Sequence, residues 1–279
     1  MSLPLSPSKR RYGFKTSPKS YKDLGAYRIL ASTPIPPIVD LENFVGPVKD
    51  QGQEGSCTAH AGSENLEFLF RKYRLETPIL SPQFLYYKER ERDGTLDQGD
   101  CGSYGRTSVE VMQTAGCCTL ASDPYNSATM NVPPTSAQMA EALKYLAGTY
   151  YGLYSVDGAK QCLASGYTFL IGFNVYENFE TDIGANGIMP VPNGGYLGGH
   201  EVLVIGYDDN FQDPISGRTG YFKIRNSWGS SWGANGDFHV AYSDFPSIVI
   251  EAWVQHLGFQ ALVPRPVVKA APAKAAIAK

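Results

Sequence analysis

The chain has 279 residues, 43% hydrophobic and 12% aromatic, with a net charge of −3; that is enough apolar mass for one large or two small folded domains, and too much for wholesale disorder. No apolar run approaches the roughly 18–20 residues a membrane span needs, so no membrane partner is expected. The charge is uneven, +6 over residues 1–34 and +4 over 261–279, which leaves −13 on the body; an acidic body lacks the clustered Lys/Arg of a phosphate footprint, and nucleic acid is not an expected partner.

In chain order, residues 1–34 are rich in Ser, Pro, Lys and Tyr without a sustained period, and read as an extended basic arm. Their start, MSLPLSPSKRRYGFK, carries positive charge but no apolar core, so no secretory signal is expected and a cytoplasmic setting is. I-P-P-I-V-D-L from Ile35 enters the body, its prolines arguing against helix and regular ladder alike. Over 56–74, Leu66, Leu69, Phe70 and Tyr73 follow the i, i+3, i+4, i+7 spacing of a helix with one buried stripe. Ser81 as N-cap and Pro82 at the first helical position announce a second helix. A third is expected over 106–115, stopped by Gly116, a fourth over 136–146 and a short fifth over 158–164. Strands are expected at 167–176, 200–207, 221–226, 237–242 and 248–255, separated by Gly, Asn and Asp clusters. Helices first and strands later predict an α+β protein of two lobes, mainly helical over 35–155 and β-rich over 156–260. Residues 261–279, rich in Pro, Ala and Lys, read as a mobile tail.

Five cysteines stand at 57, 101, 117, 118 and 162. None forms a C-x-x-C pair, and neither a metal nor an organic cofactor is expected. Cys117, Cys118 and Cys162 read as small buried hydrophobes. Cys57 is placed differently: Q-G-Q-E-G-S-C sets it behind a glycine turn at a helix start, where unpaired N–H groups stabilise a thiolate. That tilts the reading from an inert core thiol toward a nucleophile without settling it. A thiolate enzyme needs an imidazole partner, and the histidines are 60, 200, 239 and 256. His60 would lie on the cysteine's own helix flank, leaving no room for a substrate between sulfur and base. His239 and His256 alternate with apolar neighbours as sheet residues do. His200 follows N-G-G-Y-L-G-G and opens the apolar strand E-V-L-V-I-G-Y, at the end of a rigid element. Asn226 closes Y-F-K-I-R-N, with an amide oxygen suited to fix the tautomer of that ring.

Q-G-x-x-G-S-C, G-G-H-x-V and N-S-W-G-x-x-W-G-x-N-G, in that order, together resemble the papain-like cysteine peptidase family in its bacterial, short-leader form. The resemblance implies a papain-like two-lobed fold, with a helical left lobe, a β-barrel-like right lobe and an active-site cleft between them. It implies Cys57 as nucleophile, His200 as its ion-pair partner and proton donor, and Asn226 as the group orienting the ring. Gln51 would supply a side-chain N–H to the oxyanion hole, and Trp228 would roof the Asn226–His200 hydrogen bond. Gly102 and Ser103 resemble the segment whose backbone binds an extended peptide, and Gly199 stands beside the histidine where several relatives carry an acid. The implied function is hydrolysis of peptide or protein substrates by a monomer; acyl transfer on the same fold and low-turnover peptide binding stay open. Glu54 stands where the family usually has a cysteine, and Thr58 where it has an aromatic. The loop D-C-G-S at 100–103 thereby loses a disulfide partner, and the bond is expected to be absent. Finally, Y-G-F-K-T-S-P-K-S-Y-K-D-L resembles a short leader, implying a basic arm lying along the acidic body as a cover for the cleft.

Overall fold

The computed structural model describes residues 10–20, 23–26, 30, 34–73 and 78–257; the tail expected at 261–279 and the outermost part of the arm lie outside them. The helices are α1 (Cys57–Lys72), α2 (Pro82–Asp93), α3 (Gly105–Thr114), α4 (Ser136–Ala142), α5 (Val156–Ala164), α6 (Glu177–Thr181) and α7 (Phe245–Ile248). The strands are β1 (Phe14–Lys15), β2 (Ile38–Asp40), β3 (Ser103–Tyr104), β4 (Tyr150–Gly152), β5 (Phe169–Tyr176), β6 (Tyr196–Gln212), β7 (Thr219–Arg225), β8 (Asp237–Ala241) and β9 (Val249–Gln255). The protein is α+β, as expected. Seven strands form one antiparallel sheet in the order β4-β9-β5-β6-β7-β8, with β2 added to the far end of β6. The described pairings trace an open path ending at β4 and β8, not a closed ring.

Alternate residues of the central strands serve different cores, as a two-residue period requires. Phe169, Ile171, Phe173 and Val175 of β5, with Val202 and Val204 of β6, pack into one cluster with Phe222, Phe238 and α5. Leu170, Leu203, Ile205 and Trp253 point the other way, into a second cluster with Leu66, Phe68, Phe84 and Val109 of α1, α2 and α3. Both faces of the sheet are covered, which explains the near-continuous apolar runs.

Helix α1 departs from the single buried stripe read in the sequence. Every residue from Cys57 to Phe70 is buried, the polar ones included. The polar residues that looked like a solvent face are each given a partner. Glu67 takes Lys49 at 2.8 Å, Arg71 at 3.0 Å and the Leu80 N–H at 2.8 Å. Asn65 accepts from Thr168 at 2.8 Å, and Glu64 faces Arg225 at 3.2 Å. α2 begins as read, Ser81 Oγ accepting from the Phe84 N–H at 3.1 Å, and ends at Gly94 with φ of 69°. The sequence reading had the prolines before Ile38 blocking a regular ladder; the structure corrects this, since they only precede one. Pro37 offers its carbonyl to the Asp209 N–H at 2.8 Å, and the strand starts at the next residue, an edge position that proline tolerates.

Arg225, at the end of β7, is buried between Glu64 of α1 and Asp237 of β8 and also donates to the Gly46 carbonyl at 2.9 Å. Arg225→Ala would leave two buried carboxylates without their cation, so unfolding should become easier by about 3 kcal/mol. A lower urea midpoint at unchanged slope is the expected reading.

Candidate active site

Cys57 opens α1 and lies wholly buried. Ser56 is the helix N-cap but makes no capping bond; its hydroxyl instead meets His60 Nδ1 at 3.2 Å and Tyr125 Oη at 2.9 Å. His60 is thereby tied into its own helix, and burial brings its pKa down to about 3. The backbones of Glu201 and Gly13 lie near enough to the Cys57 sulfur to favour its thiolate. Glu201 directly follows His200, so the sulfur sits against the start of the central strand β6, where His200 pairs with Phe173 of β5.

His200 is fully buried, and its Nε2 lies 2.8 Å from Asn226 Oδ1. An amide oxygen only accepts, so Nε2 carries the hydrogen in the neutral ring and Nδ1 keeps its lone pair. Among the described residues Nδ1 has no hydrogen-bond partner. Trp228 stacks on the imidazole, centroids 5.1 Å apart and planes at 29°, and covers the bond to Asn226. Asn226 is held in turn by its own N–H to the Gly236 carbonyl at 2.9 Å and by the Ser227 N–H on Oδ1 at 2.8 Å.

Gln51 is buried in the turn before α1. Its Nε2 donates to the Glu54 carbonyl at 2.9 Å, while its Oε1 accepts from Ser227 Oγ at 2.6 Å. The Ser227 hydroxyl therefore fixes which way the amide faces and leaves one Nε2 hydrogen to spare. The Gln51 N–H also donates to the Ser227 carbonyl at 2.9 Å, and Asp50 bridges Trp228. Two segments about 175 residues apart in sequence are thus laced together. The sequence reading passed over Ser227, although it lies inside the quoted N-S-W-G.

Gly102 and Ser103 lie where an extended segment is already bound. Gly102, at φ of 72°, donates to Tyr86 Oη at 3.0 Å, and the Ser103 N–H donates to the Gly13 carbonyl at 2.8 Å. β1 and β3 pair in parallel, Phe14 opposite Ser103. Around this ladder the arm crosses the whole site. Arg10 lies over the Trp228 ring at 4.2 Å, Arg11 reaches Asp100 at 3.4 Å, and Tyr12 meets the edge of His200 and bonds Glu180. Gly199 faces the Phe14 ring.

A helix N-terminus favours a thiolate, but burial pushes the Cys57 thiol up to about 12, with the nearby Glu201 carboxylate acting the same way. Burial also lowers His200 to about 4, against the raising effect of its Asn226 bond. Both shifts favour the uncharged thiol and the uncharged imidazole.

All five cysteines are free thiols. The two loops that a disulfide would have joined are linked by hydrogen bonds: Asp100 accepts from the Gly55 N–H at 3.0 Å and from Tyr86 Oη at 2.6 Å. Among the described residues no group of three or more His, Cys, Asp or Glu is arranged to hold a metal ion, and no helix is long and apolar enough to cross a membrane.

A family model described as papain family cysteine protease matches residues 35–253. Among solved structures the chain is similar to xylellain, a cysteine protease from Xylella fastidiosa, with 27% identity and a TM-score of 0.80, covering 92% of this chain and 100% of that one. It is 31% identical over 206 residues to an uncharacterized peptidase C1-like protein of Acanthamoeba polyphaga mimivirus, covering 69% of this chain and 63% of the relative. It is also 31% identical over 216 residues to a cathepsin C of Schistosoma mansoni, covering 70% of this chain and 44% of that protein. The chain thus spans less than two thirds of these curated relatives.

Because thiolate is the reactive form, alkylation of Cys57 in the intact chain should be slow near pH 7 and climb about tenfold per pH unit toward pH 10. Phe14→Ala should speed it at neutral pH. Mass mapping of the Cys57 peptide after iodoacetamide treatment reads both; a rate already flat with pH would contradict the covered, neutral thiol.

Proposed function

The chain belongs to the papain family of cysteine proteases, and on that premise we propose that it hydrolyses peptide bonds through a thioester on Cys57. The observation that carries the reading is the shielded bond between His200 Nε2 and Asn226 Oδ1, which leaves Nδ1 as the ring's open lone pair on the strand that touches the sulfur. In this reading His200 takes the thiol proton, the sulfur attacks the substrate carbonyl, and the same imidazolium hands the proton to the departing amine. The spare Gln51 N–H and the Cys57 backbone N–H hold the developing oxyanion. Water, activated by the same ring, then clears the thioester. Relatives named as cysteine proteinases favour this over acyl transfer or mere peptide binding.

The arm acts as a cover for the cleft. Its backbone passes close to the sulfur at Gly13, while the Gly13 carbonyl is turned into the β1–β3 ladder. Desolvation by the same segment keeps Cys57 and His200 neutral, and lifting it restores water to both.

A positional-scanning peptide library assayed with the wild type and with Cys57→Ala tests the activity and its nucleophile together. Cleavage by the wild type alone is expected; equal turnover by both ends the proposal. Ser227→Ala should lower kcat by roughly tenfold with little change in KM, since it loosens an oxyanion donor without removing it. Removing residues 1–34, or pairing Arg11→Ala with Phe14→Ala in the whole chain, should raise kcat/KM on small peptides, and unchanged rates would remove the cover from the account.

A further inference from the structure

Glu54 stands in the turn between Gln51 and Cys57, 3% exposed, and among the described residues neither of its carboxylate oxygens has a hydrogen-bond partner. The hydroxyls that could serve it are already spent, in an order the geometry fixes. The Tyr125 hydroxyl donates to the Gln51 carbonyl at 2.9 Å. With its one hydrogen used there, Tyr125 Oη accepts from Ser56 Oγ at 2.9 Å. Ser56 Oγ in turn accepts from His60, whose Nδ1 lies 3.2 Å from it and 3.0 Å from the Ser56 carbonyl, an atom that only accepts. A directed line of donors thus runs from His60 through Ser56 and Tyr125 to the backbone of Gln51. The same two hydroxyls lie near enough to Glu54 to favour its charged form, yet neither bonds it.

We propose that Glu54 is a positioning residue for the oxyanion donor, its proton deciding whether Tyr125 holds the Gln51 carbonyl or turns to the Glu54 carboxylate. The proposal rests on the peptidase reading for the part Gln51 plays, and adds a control on it. Neutral Glu54 leaves the line of donors intact. Charged Glu54 is the stronger acceptor and draws the Ser56 and Tyr125 hydrogens to itself. The Gln51 carbonyl then keeps only the Glu54 N–H at 3.3 Å, and Gln51 Nε2, tied to the Glu54 carbonyl at 2.9 Å, loses its fixed aim. The other groups around Glu54 do not neutralise it. Asp100, from the loop before β3, repels charge there and is itself met by Tyr86 of α2 and Arg11 of the arm. Arg90 of α2 attracts it, but its terminal nitrogens go to the Gly99 and Met130 carbonyls and to Asn131. Burial first, and Asp100 second, hold Glu54 up to about 7. The carboxyl is therefore neutral on the acid side of that pH and charged on the alkaline side, so the donor is set below it and loosened above it. His60, brought down to about 3 by burial, stays neutral across this range, and burial with Glu54 keeps Tyr125 a donor.

The test uses the full chain labelled with nitrogen-15. The Gln51 side-chain amide signal, identified by its loss in Gln51→Ala, should move between pH 6 and 8 with one midpoint near 7. In Glu54→Gln it should keep its acid-side position throughout, and in Tyr125→Phe its alkaline-side position. On small blocked peptides, kcat of Glu54→Gln relative to the wild type should rise roughly tenfold from pH 6 to pH 8 with the KM ratio unchanged, less than the loss of a whole oxyanion donor. A Gln51 signal that stays still in the wild type, or moves alike in Glu54→Gln, overturns the proposal. So does a kcat ratio flat with pH in a chain that cleaves peptides. If Glu54→Gln does not fold, the wild-type titration and Tyr125→Phe decide the matter alone. A Gln51 signal that titrates in a chain that cleaves nothing upholds the control by Glu54 and sinks only the peptidase reading.

Discussion

Cys57 stands at the head of a helix buried from Cys57 to Phe70, and the rest of the molecule is arranged around that burial. A polar group taken out of water costs stability unless it is matched, and α1 carries His60, Ser63, Glu64, Asn65 and Glu67 into the interior. The matching groups come from all over the chain: Lys49 from before the helix, Leu80 and its N–H from after it, Thr168 from the entry to β5 and Arg225 from the end of β7. Satisfying α1 therefore docks the sheet against the helices, and the same docking sets Cys57 against β6. Because the partners are charged and buried, a slip of this helix would strand several of them at once, which fixes its position more sharply than apolar packing alone.

Register does the remaining work. β6 and β7 pair so that Leu203 faces Arg225, which sets Asn226, one residue on, near His200, three residues back along β6. Trp228 follows and closes over the imidazole. The turn carrying Gln51 is then sewn to Ser227 by two hydrogen bonds, one through the backbone and one through the side chain. Groups for an oxyanion and for a histidine are in this way positioned by a single loop, a preorganisation that needs no change in either partner when charge develops.

Much of this was legible in the sequence. α2 announced itself through Ser81 and Pro82, and the strands of the second half through their β-branched and aromatic runs, because local geometry and turn chemistry decide those elements. The three motifs brought His200, Asn226, Gln51 and Trp228 into one reading, and the fold sets these side chains close together. The orientation of α1 was not legible: His60, Ser63, Glu64 and Glu67 look like a wet face until partners 13 or more residues away are known. β2 was missed because proline forbids a donor only at its own position. Nor could the sequence give the closed state of Cys57, since a helix start favours a thiolate while the cover that opposes it lies 44 residues upstream.

Where a disulfide would have joined two loops, one carboxylate gathers them. Asp100 ties the Gly55 turn to α2 through Tyr86 and also takes Arg11 of the arm. The Arg11 contact is largely exposed and contributes little on its own. The Gly55 and Tyr86 bonds are more sheltered, and charge-assisted hydrogen bonds of that kind are the stronger class. Glu54 beside them is held up to about 7 by burial and by Asp100, which lessens the charge it sets against Asp100. The Arg11 contact is thus the weakest of three ties to one carboxylate, and the other two anchor the turn ahead of Cys57.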